Sequence, residues 1–105
     1  NITNIQGVIT IGDGNIVNVK YGELYQNLSL LQNEVLTTEK LSDEEKLNLA
    51  SDIETIKTQL QKPSPDKSII SKAWESIKKL SEKLQDVKPV MDLITKIGTL
   101  IRGLL

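Results

Sequence analysis

The spacing of apolar residues changes at Gly22. Before it, β-branched residues come in short runs, NITNIQG, VITIGDG and NIVNVKYG, each closed by a glycine at Gly7, Gly14 or Gly22. NITNI and NIVNV lie fourteen positions apart, and Asp13 and Lys20 are the segment's charged residues. Runs of this composition punctuated by glycine predict short strands, arranged either as a β-hairpin centred on Asp13-Gly14 or as a stacked β-arc repeat. In the hairpin, a type I′ turn at Asp13-Gly14 sets Ile11 opposite Ile16 and Thr10 opposite Val17.

From Glu23 onward the period is helical. Leu24, Leu28, Leu31 and Val35 form one stripe flanked by Tyr25 and Leu36, predicting a first helix over about 23–38. Ser42 and Glu45 have capping-box spacing, and they open a second helix over about 43–61. Its stripe is Leu49, Ile53, Ile56 and Leu60, widened by Leu47 and Ala50. Lys62-Pro63-Ser64-Pro65 stops it, since proline lacks a backbone donor and disfavours helix in the residue before it. A third helix over about 65–87 is expected, with Ser64 as cap, Pro65 at its first position, and Ile70, Ala73, Ile77, Leu80, Leu84 and Val87 on one face. Trp74 beside that face reads as a packing anchor toward a fourth helix. Lys88-Pro89 breaks the pattern, and Val90, Ile94, Ile97, Ile101 and Leu104 continue over about 89–103.

The expected architecture is therefore α+β. A β self-association element over 1–22 precedes a mainly helical hairpin or four-helix assembly over 23–105. At 105 residues the chain has material for one core. Residues 23–62 carry four basic and eight acidic groups, net −4, and residues 63–105 carry eight basic and five acidic, net +3. Opposite charge on the two halves predicts complementary rims where the first helix pair packs antiparallel to the second.

Composition narrows the chemistry. The chain contains no His and no Cys, so it lacks the commonest general base, the usual zinc and haem ligands, a thiol nucleophile and disulfides. A net charge of −1 gives no electrostatic reason to seek nucleic acid, and aromatic residues at 3% leave little for base stacking. Asp43, Glu44 and Glu45 could hold a cation but fit a helix N-terminus more simply. Gly12-Asp13-Gly14-Asn15 lacks the Lys-Ser/Thr of a phosphate loop. Ser76 and Lys79 have the spacing of a Ser-x-x-Lys nucleophile pair, and equally that of an amphipathic helix surface. Asn1-Ile2-Thr3 and Asn27-Leu28-Ser29 match the glycosylation acceptor pattern. Neither an enzyme nor a bound cofactor is expected.

Gly7-Val8-Ile9-Thr10-Ile11-Gly12-Asp13-Gly14-Asn15-Ile16-Val17 resembles the RIP homotypic interaction motif and its bacterial and fungal amyloid-signalling relatives. Ile9, Ile11, Gly12, Asn15 and Val17 match that pattern, and Thr10 stands where the motif usually has Gln. The helical remainder resembles the small helical segments attached to such strands in bacterial proteins. The resemblance covers eleven residues and implies in-register stacking that joins a receptor to a defence or cell-death effector.

The residues themselves lead to a related expectation. A short hairpin buries little on its own and needs a covering surface. Val8, Ile9, Ile11, Gly12, Asn15, Ile16, Val17 and Val19 are the candidate self-association residues. They cover either the chain's own helices or another copy, as a trimer or a larger assembly. The expected function is a non-enzymatic interaction or oligomerisation module, cytoplasmic, with a homo-oligomeric or other protein partner. The alternative is a membrane-active effector that uses Val90, Ile94, Ile97, Ile101 and Leu104 as a membrane face. No apolar run approaches the length of a membrane span, and the start at Asn1 suggests a piece of a longer protein.

Overall fold

The structure, a computed structural model, describes residues 8–11 and 15–105, with side chains from Val17 onward. Strands β1 (Val8–Ile11) and β2 (Asn15–Asn18) pair antiparallel and lead through a 3-10 turn, Val19–Tyr21, into the helices. These are α1 (Gly22–Thr37), α2 (Asp43–Leu60), α3 (Lys67–Leu80) and α4 (Lys88–Leu104), with a second 3-10 turn at Ser81–Leu84. The described chain is mostly helical. Two strands of four residues are too few to form a layer of their own, so the expected α+β balance is corrected toward a helical assembly.

The strand register departs from expectation by one position. Ile11 partners Asn15, Thr10 partners Ile16, Ile9 partners Val17 and Val8 partners Asn18. Three positions, 12–14, therefore lie between the paired ends instead of two, and Asp13 and Gly14 fall outside the described residues.

Each helix forms where its cap and its stripe agree. Ser42 Oγ accepts the Glu45 N–H at 3.1 Å while Glu45 Oε1 accepts the Ser42 N–H at 2.8 Å, a complete capping box. The third helix starts later than Ser64 would have it. Asp66 Oδ1 accepts the N–H groups of Ser68 and Ile69 at 2.9 and 3.1 Å, so the carboxylate takes the capping role. The Gln59 side chain reinforces this by accepting the Asp66 N–H at 2.9 Å. That helix also ends early, at Leu80, where Ser81 tightens the chain into the 3-10 turn. Leu80, Leu84 and Val87 keep spacings of four and three through this turn, which hides the break from a periodicity reading.

The helices run up, down, up and down. Gln32 meets Ala50 and Glu54, Tyr25 meets Lys57 and Gln61, and Asp52 meets Ser76, so α2 is antiparallel to both α1 and α3. α4 packs along α1, with Lys96 Nζ 3.4 Å from Glu23. The α3 and α4 backbones approach less closely, and the buried Trp74 ring fills the gap. A Cβ built on Gly98 would sit 3.4 Å from Trp74 Cζ2, so the indole lies close against the α4 backbone with room for little more than a methyl between them. One core contains Val17 from the strands, the stripes of all four helices, and Leu41 and Leu84 from the connections.

Polar groups set the register of α1 against α2. Lys57 is only 8% exposed, its ammonium 3.1 Å from Gln32 Oε1 and 5.0 Å from the Tyr25 ring centroid. Gln32 Nε2 donates to the Ala50 carbonyl at 3.1 Å. The expected rim pairing of the two halves is present in Lys83–Glu45 and Lys96–Glu23, while Lys40–Asp86, at 2.5 Å, joins the halves with the signs reversed. Leu36, expected to flank the first stripe, and Leu47, expected to widen the second, are exposed instead. Leu47 is two residues, or about 200°, from Leu49, which turns it to the far side of α2.

The Lys83 ammonium beside Glu45, with the Ser42 N–H it accepts, holds that carboxyl below its ordinary value of 4.5. A carboxylate depressed in the folded state stabilises above its unfolded pKa and loses that contribution as pH falls through the folded one. The stability gap between wild type and Glu45→Gln, measured by urea titration, is expected to be present at neutral pH and to close as pH falls below 4.5; a gap that widens in acid contradicts it. Gly98→Ala is expected to raise stability by up to about 1 kcal/mol through helix propensity, since the added methyl makes ordinary contact. Gly98→Leu is expected to lower it, because the larger side chain competes with Trp74 for the same space.

Candidate functional site

The N-terminal corner of the bundle holds the features that the helical core leaves over. Asn18 Oδ1 accepts the Lys20 N–H at 3.1 Å and turns the chain out of β2 into the 3-10 turn. Val17, just before that bend, is fully buried and anchors the ladder on α1, whereas Val19, just after it, is 49% exposed. The self-association set is thus divided. Val17 belongs to the protein's own core, Val19 faces water, Gly12 lies outside the described residues, and so do the side chains of Val8, Ile9, Ile11, Asn15 and Ile16. Among the described residues each strand has one neighbour, so the ladder keeps two outer edges.

A half-open cavity of about 520 Å³ lies beside this corner. Among the described residues, its walls come from three distant stretches of chain. Lys20, Tyr21, Glu23 and Leu24 line it from the start of α1, Pro63, Ser64, Pro65 and Lys67 from the connection before α3, and Leu100, Gly103 and Leu104 from the end of α4. The leucines supply an apolar floor, since Leu24 is buried and Leu100 and Leu104 are half-buried against the core. The lysines supply charge at the rim. Lys20 stands over the Tyr21 ring at 5.1 Å, and neither it nor Lys67 meets a carboxylate among the described residues. Glu23 is offset by Lys96, so the described lining of the cavity is net basic. A Cβ on Gly103 would meet nothing within 4 Å, which leaves that wall open. No local motif marks this site, because its three segments are adjacent only in the fold.

The other candidates have structural roles. Val90, Ile97 and Ile101 are buried and Ile94 and Leu104 pack partly against the core, so the membrane face expected of these five residues is corrected. Most of their apolar surface is thus already out of water within the bundle. No helix among the described residues is long and apolar enough to cross a membrane. Ser76 Oγ donates to Asp52 at 2.5 Å, tying α3 to α2 rather than facing Lys79. Glu45 is held by Ser42 and Lys83 within the acidic turn at 43–45. Asn27, in the acceptor pattern, is buried with its amide donating to the Glu23 carbonyl at 2.8 Å.

If Val17 fastens the strands to the bundle, Val17→Ala should lower the urea-unfolding free energy of the helices by about 1–2 kcal/mol. An unchanged helical transition would mean that the strands contribute nothing to the core. No family model, curated protein or solved structure matches the chain.

Proposed function

We propose that the protein is a non-enzymatic interaction module that assembles with copies of itself through the strand edges of its N-terminal ladder. The observation that carries this reading is the two-stranded ladder fastened to the bundle by Val17, with an outer edge left on each strand among the described residues. The helical stripes are covered by the protein's own core, which leaves the strands as the element open to extension. Asp13 and Lys20 are the charged residues of the whole 1–22 segment, so charge does little to discourage edge-to-edge pairing. The repeat of NITNI as NIVNV favours a second copy as the occupant, since identical segments offer each other the same pattern. The hairpin or β-arc arrangement belongs to this proposal, with trimers or larger stacks as its products.

The resemblance at residues 7–17 supports a more specific role. Stacking through Ile9, Ile11, Gly12, Asn15 and Val17 would join a bacterial receptor to a defence or signalling effector. Val17 is buried in the single chain, so stacking through it requires the ladder to leave α1.

Light scattering on the eluting full chain at tens of micromolar is expected to give a mass above the monomer. Thr10→Pro removes one strand N–H and thereby either breaks the ladder or blocks its edge. It is expected to lower that mass while the helical circular dichroism stays unchanged. A monomeric wild type, or a mass that Thr10→Pro leaves alone, overturns the reading. For the stacked form, a peptide of residues 1–20 is expected to form fibrils that Gly12→Asp prevents.

A further inference from the structure

The basic, leucine-floored cavity lies at one end of the bundle, and the opposite end carries a feature of matching shape and charge. Leu47, 67% exposed, is the most exposed of the large apolar side chains on the bundle. Asp43 and Glu44 precede it by four and three residues, which puts both carboxylates on the same helical face as the leucine. Both are exposed, and neither meets a cation among the described residues. α2 runs from this turn back toward the cavity end, about 20 Å along its axis from Leu47 to Leu60. A leucine flanked by carboxylates without a cation at one end thus corresponds to a leucine-lined hollow flanked at the other by ammonium groups that meet no carboxylate among the described residues.

We propose that the cavity takes the first turn of α2 from a second copy of the chain, with Leu47 on the floor of Leu24, Leu100 and Leu104, and Asp43 and Glu44 against Lys20 and Lys67. The volume of about 520 Å³ is within the range of binding pockets and admits a leucine with part of its helical turn. A half-open site suits an occupant that continues outward as a protein. The two surfaces differ, so the contact is heterologous, and each added copy presents a fresh cavity at one end and a fresh α2 turn at the other. Assembly then proceeds head to tail. This contact is independent of the strand edges, and the two modes of association are separable by mutation.

The test is sedimentation velocity of the full chain carrying Thr10→Pro, over micromolar to several hundred micromolar protein. This chain is expected to self-associate, more weakly at high salt. Leu47→Asp, or Gly103→Trp to fill the cavity, is expected to weaken association by about tenfold or more, the scale of losing one buried leucine. Leu47 is exposed and Gly103 faces open space, so both variants should keep the parent's thermal transition. A mixture of the two keeps one good turn and one good cavity, and it should stop at a heterodimer. Lys67→Glu should weaken the contact, and Glu44→Lys in the same chain should restore it. If the Thr10→Pro chain stays monomeric, or if Leu47→Asp and Gly103→Trp sediment like their parent, the cavity contact is overturned. A wild type that assembles only when Thr10 is intact leaves the strand-edge reading standing alone. Equal assembly of wild type and Thr10→Pro, abolished by Leu47→Asp, removes the strand-edge reading and keeps this one.

Discussion

Burial of Leu and Ile from four helical stripes in one shared core is the interaction on which everything else in the molecule depends. A chain of this length has little surface to spare, and ion pairs at its rims lie mostly in water, where they add little. The stripes must therefore meet closely. They do so along α1–α2, α2–α3 and α1–α4, and the remaining space between α3 and α4 is filled by the Trp74 ring lying on Gly98. An aromatic side chain and a residue without one together close the fourth side of the bundle.

That closure decides which surfaces are left for partners. The α4 stripe, suited by composition to a membrane interface, is turned inward by the demand for a continuous core. Val17 is drawn in by the same demand and brings the two strands down onto α1. Beyond Val17 the chain bends at Asn18 and leaves Val19 and Lys20 at the surface, with Tyr21 half-buried against the core. The mixed cavity forms where this bend, the proline-containing connection and the end of α4 come together. Binding features thus gather at the ends of the bundle, where the stripes run out and the connecting segments no longer pack side by side.

Polar groups inside the bundle serve position more than stability. Lys57 is held between Gln32 and the Tyr25 ring, and the Gln59 side chain holds the backbone just ahead of α3. Each would leave unpaired polar atoms behind if α2 slid by one turn, so together they favour one register. Ser81 Oγ is the buried side-chain atom without a hydrogen-bond partner in the described residues, at the corner where α3 gives way to the 3-10 turn. Its position accords with a helix that ends there through chain direction rather than through a stop signal.

Local chemistry was legible from the residues alone. The four stripes, the Ser42–Glu45 capping box, the break at Pro63 and the change of character at Gly22 all depend on neighbours within a turn or two, which a linear pattern records. The strand register, the replacement of Ser64 by Asp66 as cap and the early end of α3 were not legible, because competing local solutions differ by about 1 kcal/mol and contacts from elsewhere select among them. The cavity could not be read at all. Lys20, Lys67 and Leu104 are far apart in the chain, and only the antiparallel path of the helices brings them to one end of the molecule.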